Sequence, residues 1–104
     1  MNEGMNKKIY ISGRVSSLPY DIAHRRFSKK EKELKDRGWK VINPMKYCCE
    51  VWPWWLCMIV CVMQLLRCNT IYMMRGWTQS RGARLEYKIA KKFNLYICNE
   101  ENQN

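Results

Sequence analysis

Four short runs rich in β-branched and aromatic residues alternate with three longer stretches of helical pattern. The runs are K-I-Y-I-S at 8–12, W-K-V-I-N at 39–43, N-T-I-Y-M-M at 69–74 and N-L-Y-I-C at 94–98. Between them, residues 20–37, 55–67 and 81–93 read as helices. In the first, Tyr20, Ala23, Phe27 and Leu34 share one face and Gly38 provides the stop. In the third, Leu85, Ile89 and Phe93 fall on one side. Strands joined by helical crossovers pair in parallel, and right-handed crossovers cover both faces of the sheet. The expected fold is α/β, a small doubly wound parallel sheet in the order 2-1-3-4. Residues 8–98 form one domain in this reading, after a flexible start at 1–7 and before a polar tail at 99–104.

Ligands of such sheets bind at the carboxyl ends of the strands, where the strand order reverses. The order 2-1-3-4 sets the loops after the first and third strands side by side. Residues 10–17 and 77–86 should therefore meet in one cleft. The first loop offers Tyr10, Ser12, Gly13, Arg14 and Ser16. The second offers Trp77 and then S-R-G-A-R-L-E, from Ser80 to Glu86. Gly82 and Ala83 are small enough for a ligand to approach the backbone, and free N–H groups at a helix start favour anions. Glu86 is the carboxylate of this stretch, and the helix N-terminus should keep it ionised. A plain structural role is the alternative, with Ser80 as N-cap and Glu86 complementing the helix dipole. Arg14, Arg81 and Arg84 are candidates to hold phosphate oxygens, or ordinary surface charges. Tyr10 and Trp77 are candidates to stack on a base, or members of the core.

Charge narrows the partners. The chain has 19 Lys and Arg against 9 Asp and Glu, a net charge of +10, which favours an anionic partner. No DNA- or RNA-reading motif accompanies the charge, so nucleic acid is not the expected ligand. Six cysteines are present without a C-x-x-C pair, and His24 lies on a different element, which argues against zinc. No metal or cofactor is expected. The polar start MNEGMNKK is read as no secretory leader, so the thiols are expected reduced in a cytoplasmic protein. The apolar run at 51–66 is shorter than the ~20 residues of a spanning helix and contains Pro53 and Gln64. A buried helix is expected there, with membrane association a minor alternative; an exposed hydrophobic face used for dimerisation would also fit. The aromatic cluster Trp52, Trp54 and Trp55 makes a homodimer or higher homo-oligomer the expected assembly.

Taken in order, the segments I-Y-I-S-G-x-V-S-x-L-P, G-W-x-V-I-N-P, C-N-T-I-Y-M and G-W-x-x-S-R-G-A-R-L-E-Y-x-I-A carry a resemblance. They resemble an uncharacterised phage and bacterial domain family. That family is similar to the nucleoside 2-deoxyribosyltransferases and the deoxynucleoside 5′-monophosphate N-glycosidases. The likeness covers residues 8–97. It implies that Glu86 is the nucleophile toward the anomeric carbon and that Ser80 contacts phosphate or sugar. It also implies that Tyr10 lines the site and that the Ser12–Gly13 turn holds nucleotide. Where the enzymes carry an aspartate on the second helix, this chain has Cys61. A second aspartate, at the start of the third strand, is Asn69, and the proline after the Ser-Gly turn is Arg14.

Three functions are compatible with these residues. The first is N-glycosidic cleavage or deoxyribosyl transfer by Glu86. The second is a non-catalytic binder of a nucleotide or nucleotide-derived signal, favoured by Cys61 and Asn69 in place of acids. The third, a basic nucleic-acid or protein-interaction module, rests on net charge alone.

Overall fold

Lys8–Ser12 forms β1, the strand around which the sheet is assembled. Ile9 and Ile11 point to one face of the sheet and Tyr10 and Ser12 to the other, as the two-residue repeat of a strand requires. Full burial of each isoleucine contributes roughly 1.5–3 kcal/mol, and both are 1% exposed or less. The computed structural model describes residues 7–15, 18–47 and 52–100.

β1 is followed by α1 (Tyr20–Asp36), β2 (Lys40–Ile42) and a single 3-10 turn at Pro44–Lys46. Next come α2 (Trp54–Leu65), β3 (Thr70–Met73), a second 3-10 turn at Trp77–Gln79, α3 (Arg81–Lys92) and β4 (Tyr96–Asn99). All three strand pairings are parallel, and the order is β2-β1-β3-β4. The doubly wound α/β sheet expected from the alternation is thus the fold. In the register of β1 and β3, Tyr10 lies opposite Ile71 and Ser12 opposite Met73.

One face of the sheet packs Ile9, Ile11, Tyr72 and Met74 against Ala23, Phe27 and Leu34 of α1. The other packs Tyr10, Ile71 and Met73 against Cys61 and Leu65 of α2 and Ala83 and Ala90 of α3. α1 and α3 end the same way. Gly38 (φ 95°) closes α1, with the Trp39 N–H bonded to the Leu34 carbonyl. Asn94 (φ 61°) closes α3, with the Leu95 N–H bonded to the Ala90 carbonyl. Asparagine is the usual substitute for glycine at this left-handed position.

Several expectations change. Trp39 and Asn43 lie outside β2; the Asn43 side chain instead accepts from the Met45 N–H and starts the 3-10 turn. Asn99 belongs to β4, and Glu100 accepts a hydrogen bond from the Arg75 N–H, so the polar tail begins later than residue 99. The first six residues and 101–104 lie outside the described residues. The inner face of α3 is not the Leu85–Ile89–Phe93 stripe: Leu85 and Phe93 are exposed, and Ala83, Glu86 and Ala90 are buried. Small side chains let α3 approach the sheet closely, which leaves room beneath it for one longer side chain. α2 is not a buried helix either. Only Cys61 and Leu65 are buried on it, while Trp55, Ile59 and Met63 are 60%, 52% and 60% exposed. Among the described residues no helix is long and apolar enough to cross a membrane.

Candidate functional site

The alternation in β1 aims Tyr10 and Ser12 at the underside of α3. The loop after β3 turns sharply at Gly76 (φ 84°), runs through the 3-10 turn and delivers Ser80 as the N-cap of α3. Ser80 Oγ accepts the Ala83 N–H at 3.2 Å, so that part of the structural alternative holds. One turn later the inward position is Glu86. Tyr10 Oη donates to Glu86 Oε2 at 2.6 Å, and Ser12 Oγ donates to Glu86 Oε1 at 2.6 Å. Both bonds are in the short range of hydroxyls bonded to a carboxylate.

Burial decides the electrostatics. Glu86 is 6% exposed. Its removal from water pushes the carboxyl up from 4.5 to about 7, against the opposing pull of the Ser12 and Tyr10 hydrogen bonds. Desolvation thus works against the ionised form expected from the helix terminus, and leaves Glu86 only partly ionised near neutral pH. The Tyr10 phenol is pushed well above its ordinary value by burial first, then by the neighbouring Glu86 and Cys61.

Glu86 and Tyr10 also line a cavity of about 380 Å³. Its wall on the α3 side includes Ser80, Gly82 and Ala83; on the α2 side it includes Trp54, Cys57, Met58 and Cys61. Gly13, Val15 and Leu18 close the β1 end, and Tyr20, Phe27, Met45 and Trp52 complete the apolar lining. Of the residues proposed from sequence, Tyr10, Gly13, Ser80, Gly82 and Glu86 do line one cleft. Ser12 is 1% exposed and acts behind the wall, through Glu86. Ser16 lies outside the described residues.

Other assignments are corrected. Trp77 does not face the cavity. It is buried in the core against Tyr87, ring centroids 4.7 Å apart, with its indole N–H lacking a hydrogen-bond partner. Arg84 donates to the Thr78 carbonyl at 2.7 Å, and the Arg14 side chain runs alongside Gly76. Arg81 stacks on Trp54, 3.9 Å from the ring centroid. None of the three arginines is a lining residue. A Cβ on Gly82 would come 3.1 Å from Met58 Sδ, so the close approach that glycine permits is by α2 at least as much as by a ligand. Asn69 is at the opposite end of the strand, where its Oδ1 accepts from the Lys8 N–H at 3.3 Å and Thr70 Oγ1 at 3.2 Å. Cys61, in contrast, does border the cavity beside Tyr10.

Sequence reasoning missed the contribution of α2 and its approach. Trp52, Trp54, Cys57 and Met58 form much of the wall. The signal was the cluster of tryptophans around Pro53, a proline that sits at the N-cap of α2. A second buried carboxylate was also missed as such. Glu31 accepts from Asn43 Nδ2 at 3.0 Å and pairs with Lys35 and Lys46, each at 2.9 Å. Burial raises its carboxyl, but the bonds from Asn43, Lys46 and Lys35 outweigh this and bring it down to about 2. The network anchors Pro44–Lys46, and hence Met45, beside the cavity. Among the described residues no group of three or more His, Cys, Asp or Glu could hold a metal ion.

A family model for a domain of unknown function, DUF4406, matches residues 7–99, and the chain belongs to that family. Comparison with curated proteins finds no match.

Proposed function

We propose that this domain cleaves the N-glycosidic bond of a nucleoside or nucleotide, or transfers its deoxyribosyl group, with Glu86 as nucleophile. The observation that carries the reading is a cavity-facing carboxylate, the one among the described lining residues, with both oxygens oriented by buried hydroxyls at 2.6 Å. Each oxygen keeps a lone pair free of these bonds. A carboxylate so fixed can capture an oxocarbenium-like centre as an ester, which water or a second base then opens. The resemblance of the S-x-G-x-x-x-E spacing, Ser80, Gly82 and Glu86, to the monophosphate N-glycosidases supports the same role. So does the volume of about 380 Å³, which suits a ligand of nucleoside size.

The test is release of free base, followed chromatographically, from a panel of nucleosides and nucleotides at high protein concentration. Release that disappears in Glu86→Gln supports the proposal, and a silent panel overturns it.

A second reading has one specific observation in its favour. Cys61 borders the cavity where the enzymes it resembles place an aspartate, so a nucleotide or nucleotide-derived signal would be held without turnover. Saturable calorimetric binding with no base released selects this reading over the first.

A further inference from the structure

We infer, on the basis of the glycosidic reading, that the preferred substrate is a nucleoside whose base already carries a positive charge, an N-alkylated heteroaromatic ring, with no phosphate on the sugar.

The first argument is the charge of the cavity. Glu86 is the one carboxylate among the lining residues, and no Lys, Arg or His lines the cavity among the described residues. The sequence places no such residue at 16, 17 or 48–51 either. A chain of net charge +10 thus lines this cavity, among the described residues, without a cation. A phosphate entering there would meet a carboxylate with no lining cation to offset it. A cationic ring would meet an anion in a poorly hydrated space, where the attraction is strongest.

The second argument is the wall. Tyr10, Tyr20, Phe27, Trp52 and Trp54 all border the cavity. Aromatic faces attract a cation by ~0.5–2 kcal/mol each when it is well placed. Trp54 already holds one cation in this way, the exposed Arg81 guanidinium 3.9 Å from its ring centroid.

The third argument is the leaving group. A neutral base departs with the C–N bonding pair and needs a proton, and a general acid is worth about 10²–10⁴ in rate. Among the described residues the cavity offers no second carboxyl for the task. Glu86 is committed to the sugar, the Tyr10 proton to Glu86 Oε2, and the other polar side chains of the described lining are hydroxyls, thiols and indoles, all weak acids. A cationic base needs no proton. Glu86 bonds to the anomeric carbon, the C–N pair moves onto the ring nitrogen, and the ring leaves neutral. Water then attacks the same carbon, the ester oxygen leaves with its pair, and one proton goes to solvent. The sum is cationic nucleoside plus water giving neutral base, free sugar and one proton.

The experiment compares matched pairs on the full chain at pH 7, where about half of Glu86 carries its charge: 7-methylguanosine with guanosine, 7-methyl-2′-deoxyguanosine with deoxyguanosine, and nicotinamide riboside with its 5′-phosphate. The cationic member of each of the first two pairs should show kcat/KM at least about 100-fold higher, matching the worth of the absent acid, and nicotinamide riboside should be cleaved faster than its 5′-phosphate. One proton should appear per turnover. Calorimetry on Glu86→Gln should show a smaller preference for the charged member of a pair than the native chain shows, and Arg81→Gln should favour the charged member further. Equal or faster cleavage of the neutral or phosphorylated partners overturns this inference while leaving the glycosidic reading intact. No release from any member overturns the glycosidic reading itself. In that event equal binding of charged and neutral members by the native chain also removes the preference for a cation.

Discussion

Tyr10 and Glu86 are 76 positions apart in the chain, and their side chains meet at 2.6 Å in the floor of the cavity. The contact exists because β1 and β3 are neighbours and α3 starts from the loop that follows β3. A strand from one end of the domain and a helix from the other build one acidic centre.

Glu86→Gln should abolish base release and at the same time stabilise the fold at high pH. Burial raises the native carboxyl from 4.5 to about 7, so between those values the folded chain holds a proton that the unfolded chain has lost. Stability therefore falls as pH rises through this window, by up to about 3 kcal/mol above it. Glutamine carries no charge and keeps a similar shape. Urea melts of the two proteins should nearly coincide at pH 4 and separate at pH 8, with the glutamine variant the more stable. Loss of stability at pH 8 would show that the carboxylate contributes net attraction instead.

Tyr10→Phe removes the hydroxyl on Oε2 and leaves Ser12 on Oε1. A hydrogen bond to a charged group is worth ~1.5–3 kcal/mol, so the Glu86 titration should move upward by about one unit. The pH–rate profile for base release should shift to the alkaline side by that amount. An unmoved profile would mean that another group sets the acid limb.

Glu31→Gln tests the network that holds Pro44–Lys46. Its carboxyl is lowered to about 2, so the stabilisation is present above the unfolded value near 4.5 and is lost as pH falls toward 2. Lys35 and Lys46 are each more than half exposed and can turn to water. The expected cost at pH 7 is accordingly about 1–2 kcal/mol. At pH 2 the variant and the native protein should melt together, which circular dichroism against temperature will show.

Gly82→Ala separates packing from ligand space. Alanine in a helix gains roughly 0.5–1 kcal/mol over glycine, but its Cβ would sit 3.1 Å from Met58 Sδ. Met58 is flexible and lines the cavity, so it should yield inward. Stability should change by less than about 1 kcal/mol while ligand affinity falls severalfold. Unchanged affinity would place the ligand away from the α2–α3 seam.

Local pattern carried the fold far. The strand at Lys8–Ser12 has the bounds read from K-I-Y-I-S, and Gly38 stops α1 as its position suggests. The site was legible where it depends on topology: once the strand order is 2-1-3-4, Tyr10 and Glu86 must come together. It was not legible where a long-range contact overrides a local preference. Leu85 and Phe93 form a plausible inner stripe by composition, yet Ala83 and Ala90 let α3 lie closer and turn Glu86 inward. The ionisation of Glu86 was misjudged for the same reason, because the helix start is local and the desolvation is imposed by the sheet. Trp77 resembled a stacking platform, but its neighbour is Tyr87 on α3.

The span between the two ends of the centre has a consequence for biosynthesis. Ser12 and Tyr10 leave the ribosome 74 and 76 residues ahead of the carboxylate they hold. At ordinary elongation rates that is a delay of roughly 4–15 s. During it, β1 can gain β2 and then β3, but its inward hydroxyls have no anion to meet. The acidic centre is thus closed only once α3 has emerged, and a nascent chain halted before residue 86 carries the cradle without its occupant.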